Sequence, residues 1–488
     1  TNVGQFGTLF DQLIATAALI VGLGNPTEHT IRLVTLFSPA VFGSLVAIPT
    51  YFVTKRLSGR IPALFAALVL ALLPGQFLSR SLIGFADHNI AEPLFQTTAV
   101  VFILIALAIG ERDRPVFEQF QERDVEGLRS VLGWSVLAGV SIALYMWVWP
   151  PGIMLVGILG VFFTVKLSWD YWRGVSPDHL GIVGAIMLGS SGLLMLAPIS
   201  MLNFNAASYS LLQPLLGIFG AIWFLFMAWL ARQWDQHDLS TSMYPTTITG
   251  IVVGGAILAA IVTPRLFNVI QTNVMRFVGF GTGAKTRTIR EAQPLLAQGQ
   301  FFPVLFGEYA LTFFTAWLAA IILIWHIYTK RDNAQHLFVL LWLVFMTAAA
   351  FTQIRFNYYL AVPVAVMNGY LIGLFFDWGI FSGISTPKDL EASQIFTILT
   401  ILLVIIAPLA VGINQGSRQA NLRVDTAPFI GNRTAPGSVQ AWRGPLQWLQ
   451  ENTPKVGDYG NANNADMLDY YGTYGLTNNF DYPAGSYG

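Results

Sequence analysis

Arg80-Ser-Leu-Ile-Gly-Phe-Ala-Asp87-His88-Asn89-Ile-Ala-Glu92 interrupts two strongly apolar runs, Ile61–Leu78 and Pro93–Ile109. It places an arginine, two carboxylates, a histidine and an asparagine within one short break. Charged side chains are costly inside lipid, so such a cluster beside apolar runs marks a membrane boundary and is a functional hypothesis by default.

Composition supports the membrane reading. The 488 residues are 54% hydrophobic and 11% charged, against about 25% charged in soluble domains. Lys+Arg and Asp+Glu balance at 26 each, so there is no nucleic-acid footprint. The chain has no cysteine, which excludes disulfides, thiolate metal sites and cysteine nucleophiles. The six histidines are scattered without a zinc spacing.

A spanning helix needs about 20 apolar residues. The patch Leu13–Leu23 falls short and is expected at the interface. About twelve spans are expected after it. They lie at Leu33–Val53, Ile61–Leu78, Pro93–Ile109, Val131–Val148, Gly152–Val165, Leu180–Ile199, Leu211–Leu230, Ile248–Val262, Ala310–Ile327, Leu337–Phe351, Tyr358–Phe376 and Ile395–Ile413. The expected class is an all-α polytopic membrane protein, with a membrane domain over 1–413 and outer loops at 76–92 and 264–308. Residues 414–488 turn polar and read as the start of an extracellular domain. There Trp442, Leu446 and Leu449 have helical spacing, and Pro454 stops the helix.

Short loops containing Lys55, Arg56, Arg60, Arg112, Arg114, Arg123, Arg129, Lys166, Arg173, Arg232, Lys330, Arg331 and Lys388 alternate with loops nearly bare of positive charge. The basic set is therefore cytoplasmic. Arg80, Asp87, Glu92, Glu291 and Arg355 then collect on the opposite face, Glu291 with several basic residues in the long segment 264–308, which translocates regardless of its charge.

Each feature admits two readings. Asp87 and Asn89 lie on one side of an extended segment and offer hard oxygen ligands for Mg²⁺ or Mn²⁺, with His88 as a further candidate. Asp87 or Asn89 can equally cap the helix beginning near Ile90, with Glu92 in its first turn. Glu291, in Thr288-Ile289-Arg290-Glu291, is either half of a solvated surface pair or part of a substrate-positioning loop, for which Gly279, Gly281 and Gly283 provide mobility. Arg355 either snorkels to headgroups or presents a forked donor to a phosphate. Trp149-Pro150-Pro151-Gly152 reads as a helix-ending turn and interfacial anchor.

Taken in order, these stretches resemble the catalytic subunit of oligosaccharyltransferase, in particular its archaeal single-subunit form. The resemblance rests on Arg80 followed by Asp87-His88-Asn89 and Glu92, on Thr288–Glu291, on Arg355-Phe356 before a tyrosine-rich helix start, and on Trp448-Leu449-Gln450-Glu451-Asn452-Thr453-Pro454. It implies a C-type membrane glycosyltransferase with thirteen spans, in the cell membrane, working on the extracellular face. Such an enzyme transfers an oligosaccharide from a dolichyl phosphate carrier to Asn of Asn-x-Ser/Thr, with inversion and a divalent metal, Mn²⁺ or Mg²⁺.

On that resemblance Asp87, Glu291 and Arg80 are catalytic, and Asp87, Asn89 and Glu291 hold the metal. Arg355, with His88, binds the lipid-linked donor. Asn89 departs from the family pattern of Asp-x-Asp or Asp-x-His. The family's first acidic motif and its Trp-Trp-Asp-Tyr-Gly motif are not found in the sequence, so a fragment that is inactive alone is expected. Asn432-Arg433-Thr434 is itself an acceptor sequon. The rival classes are a secondary transporter, which would bury its polar groups near the midplane, another lipid-linked sugar transferase, and a non-catalytic scaffold.

Overall fold

The computed structural model describes residues 8–112, 119, 122, 124–199, 202–265, 267–268, 270–272, 290–295, 301–329, 334–378, 380, 391–418, 444 and 448. Contacts divide the chain into two units, Thr1–Gln415 and Gly416–Gly488. The glycines at 279–283, Thr288, Ile289, the sequon at 432–434 and nearly all of the 439–454 segment lie outside the described residues.

The described part of the first unit is helical. Its helices are α1 (Leu9–Val21), α2 (Glu28–Leu45), α3 (Ala47–Ser58), α4 (Arg60–Leu72), α5 (Gln76–Arg80), α6 (Ala91–Arg112), α7 (Val125–Val148) and α8 (Ile153–Trp172). They continue with α9 (Asp178–Leu194), α10 (Leu212–Gln236), α11 (Met243–Val262), α12 (Phe301–Tyr309), α13 (Thr312–Thr329), α14 (Ala334–Thr352), α15 (Asn357–Asp377) and α16 (Ala392–Arg418).

Among the described residues ten segments are long and apolar enough to cross a membrane. The expected spans at Ile61–Leu78 and Leu180–Ile199 form the shorter apolar helices α4 and α9. Pro74-Gly75 and Pro198 follow these two helices closely, and proline cannot continue a helix's hydrogen bonding. The same chemistry splits the first run: Pro49, near the start of α3, has no N–H to offer the carbonyl of Leu45, where α2 ends.

The helix at the centre is α15. Every residue from Asn357 to Leu374 is buried, so its apolar character runs around the whole circumference, as a helix enclosed by neighbours requires. It packs on α3, α4, α13 and α14, while α6 packs on α7 and α9 on α10. The last pair approach at Gly192 and Gly217, where an added Cβ on Gly217 would sit 2.7 Å from the Gly192 Cα. By contrast α11 buries only Tyr244 and Ile248 and exposes Ile257, Leu258, Ile261 and Val262, the apolar surface that lipid tolerates and water does not.

Candidate functional site

Five short pieces of chain meet at one end of the bundle: α5, the turn His88–Ile90 leading into α6, the turn Arg290–Ala292, the turn Ile354–Phe356, and the start of α15. The turns at 290–292 and 354–356 are joined by a backbone bond from Ile354 N to Gln293 O at 3.1 Å.

Arg80 ends α5 and is buried. Its Nη2 donates to Glu291 Oε2 at 3.0 Å and its Nε to Gln76 Oε1 at 3.2 Å. The guanidinium lies 4.9 Å from the Tyr358 ring centroid and 5.6 Å from that of Phe85. Glu308 fixes the other end of this helix, because its Oε2 accepts from Gln76 N at 2.6 Å. That close approach is why residue 75 is glycine: a Cβ there would collide with the Glu308 side chain and backbone.

Asp87 caps the turn into α6, its Oδ1 accepting from His88 N at 2.7 Å, as the helix-cap reading requires. The segment is a turn of 3₁₀ helix and not extended chain, so Asn89 points inward and is buried. Its Nδ2 donates to Asp87 Oδ2, and its Oδ1 faces the Tyr358 hydroxyl at 3.2 Å. The Asp87 side chain remains 43% exposed and that of Glu291 45%, so both carboxylates stay open to solvent. Burial pushes the Asp87 carboxyl up, but the hydrogen bond and charge of His88, with the Arg80 guanidinium, hold it below the usual carboxylate range.

His88 lies between two carboxylates and close enough to Arg355 to feel its charge. Its Nδ1 lies 2.6 Å from Asp87 Oδ1 and its Nε2 3.2 Å from Glu92 Oε1, so both ring nitrogens face carboxylates. Glu92 itself has no exposed surface. Its Oε2 accepts from Tyr358 at 2.8 Å and Tyr359 at 2.5 Å. Tyr359 accepts in turn from Tyr145 at 2.9 Å. Arg355 stacks beside Trp149 at 5.6 Å and Phe356 at 5.7 Å, and its buried Nε has no hydrogen-bond partner among the described residues.

The local sequence therefore announces Arg80, Asp87, Glu291 and Arg355, but not the aromatic floor beneath them. Trp149, expected only as an interfacial anchor, lies against Arg355 and Tyr359. The one available signal was the adjacent pair Tyr358-Tyr359 following Arg355, since buried tyrosine hydroxyls demand partners. Among the described residues no group of three or more histidine, aspartate or glutamate side chains gathers for a metal. Two half-exposed carboxylates remain, Glu291 bonded to Arg80 and Asp87 near enough to feel its charge. They suit an ion bound by one or two carboxylates and completed by water and substrate phosphate, as Mg²⁺ commonly is.

Bundle and site together define a polytopic helical membrane protein with a carboxylate and arginine centre at one end of its spans. Residues 2–413 match the oligosaccharyl transferase STT3 N-terminal family, and the chain belongs to that family. A dolichyl-monophosphooligosaccharide–protein glycotransferase AglB of Haloferax volcanii is 42% identical over an alignment of 554 residues, covering 100% of this chain and 52% of that protein. A dolichyl-phosphooligosaccharide-protein glycotransferase 3 of Archaeoglobus fulgidus is 24% identical, covering 98% and 54%. The chain spans about half the length of the curated relatives it matches. The structure of archaeal oligosaccharyltransferase AglB from Archaeoglobus fulgidus, in complex with an inhibitory peptide and a dolichol-phosphate, has the same fold. Its TM-score is 0.76 at 23% identity, over 96% of this chain and 51% of that one.

Proposed function

We propose that this chain provides the membrane-embedded catalytic part of an oligosaccharyltransferase. It moves an oligosaccharide from a dolichyl phosphate carrier to the side-chain nitrogen of Asn in Asn-x-Ser/Thr, inverting the anomeric carbon, at the extracellular face of the cell membrane. The observation that carries the reading is the Arg80–Glu291 bond, which brings together two short motifs 211 residues apart beside the exposed Asp87. The relatives' names, which specify a dolichyl-linked donor and a protein acceptor, support the same chemistry.

The residues divide the work. A carboxamide nitrogen is a poor nucleophile because its lone pair is delocalised into the carbonyl. Glu291, held by Arg80 and open to solvent, accepts an amide N–H and, with Asp87, favours a less conjugated geometry. Arg355 presents an unpaired N–H to the departing phosphate, where a guanidinium stabilises charge that grows in the transition state. Asp87 and Glu291 would hold Mn²⁺ or Mg²⁺, with Asn89 in the family position of a further ligand. That ion supplies Lewis-acid stabilisation of the leaving phosphate.

The test is transfer by the full-length protein in nanodiscs, from a dolichyl-phosphate-linked oligosaccharide to an Asn-x-Thr peptide, followed by mass spectrometry. Glu291→Gln should lower turnover by about 10²–10³-fold, the usual cost of losing one transition-state contact, and a chelator should abolish it. Near-normal turnover of the variant sinks the role of Glu291. Turnover that persists in chelator removes the metal.

A further inference from the structure

We propose that Glu92 is a positioning residue which, acting through His88, orients the Asp87 carboxylate toward the outer face; this rests on the reading above that Asp87 is a metal ligand. Three side chains run in line from the protein interior to water. Glu92 is wholly buried, while the His88 and Asp87 side chains are 39% and 43% exposed. Glu92 Oε2 is fixed by the hydroxyls of Tyr358 and Tyr359 at 2.8 and 2.5 Å. The Tyr145 hydroxyl donates to Tyr359 at 2.9 Å, which leaves the Tyr359 hydrogen directed at Glu92. With Oε2 held, Oε1 lies 3.2 Å from His88 Nε2, an ion-pair contact. The imidazole is thereby turned so that Nδ1 meets Asp87 Oδ1 at 2.6 Å.

Two physical points favour positioning over mere packing. A buried carboxylate costs several kcal/mol of desolvation even after relaxation. Two tyrosine hydroxyls alone would be served as well by a neutral glutamine at this position. The second carboxyl oxygen is there for what lies on the other side, the imidazole. His88 in turn has no ring nitrogen left to face a cation, so it acts as the bridge and not as a ligand. Asp87 keeps its exposed surface for the ion while its orientation is set from beneath. Carboxylate–imidazole supports of this kind typically contribute about 10–100-fold in metal affinity.

The experiment is titration of the full-length protein in nanodiscs with Mn²⁺ alone, followed by the electron paramagnetic resonance of the free ion, without donor or acceptor. Glu92→Gln and His88→Asn should each weaken Mn²⁺ binding by about 10–100-fold. The double variant should be no weaker than the worse single one, because the two residues act in series. The thermal midpoint should stay near wild type in both. Wild-type Mn²⁺ affinity in either variant, additive losses, or a parallel fall of midpoint and affinity in both would overturn the proposal. His88→Asn, at a half-exposed position, carries the test if Glu92→Gln does not fold. A wild-type protein that binds no Mn²⁺ fells the metal reading of the site itself, an outcome distinct from unaffected variants of a wild type that binds.

Discussion

Helix α6 carries a carboxylate near each end, and the two live in opposite worlds. At the far end Glu111 accepts from Ala334 N at 3.0 Å and lies 3.9 Å from Lys166, which pairs with Asp170 at 2.5 Å. Nearby, Arg232 holds Asp178 Oδ2 through Nε and Nη2 at 2.9 and 2.6 Å. Acid and base there meet directly, and the charges close on one another. At the near end Glu92 meets hydroxyls and an imidazole, Arg355 keeps an unpaired Nε, and Asp87 and Glu291 remain about half exposed. The chain thus spends its buried charge in two ways. Closed pairs tie helices together, whereas groups left partly exposed or unpaired fit the proposed site for a charged ligand.

The largest expected effect breaks the comparison from the closed end. Lys166→Ala removes a buried ion-pair partner of Asp170 and should lower stability, read as a fall in thermal midpoint in detergent. Donor binding by the folded fraction should be unchanged. An unaltered midpoint would mean that the inner pair is not structural. Arg355→Ala should do the reverse: donor affinity falls by about tenfold or more, since hydrogen bonds to charged groups are worth roughly 1.5–3 kcal/mol, with the midpoint retained. Unchanged donor affinity would return Arg355 to the role of a headgroup anchor.

The smallest effect sharpens the contrast through pH. The folded Asp87 carboxyl sits below its ordinary value of about 3.9. Its contribution to stability is therefore complete above that ordinary value and is lost as pH falls through the lower folded one. The difference in midpoint between wild type and Asp87→Asn should shrink over that acid range, measured in chelator. A difference that stays constant with pH would show that His88 and Arg80 do not hold Asp87 ionised.

Much of the fold was legible residue by residue. A spanning helix is a local property of composition and length, so all twelve apolar stretches reappear as helix, although proline splits the first into two and leaves two others shorter. The cap at Asp87 was equally local. What was not legible is the turn that swings Asn89 inward, because an extended and a 3₁₀ segment share the same short sequence until packing decides between them. Trp149 was read by its neighbours Pro150 and Pro151 and not by Arg355, which lies against it from a distant part of the chain.

By itself the sequence determined a helical membrane protein whose charged groups gather at the ends of its apolar spans, because the cost of charge in lipid acts on each residue wherever it stands. Tertiary structure alone decided that Tyr358 and Tyr359, 266 and 267 residues beyond Glu92, would close on its carboxylate and turn His88 toward Asp87. Hydrogen bonds reach about 3 Å, and only the packing of α15 against α6 brings such distant residues that close.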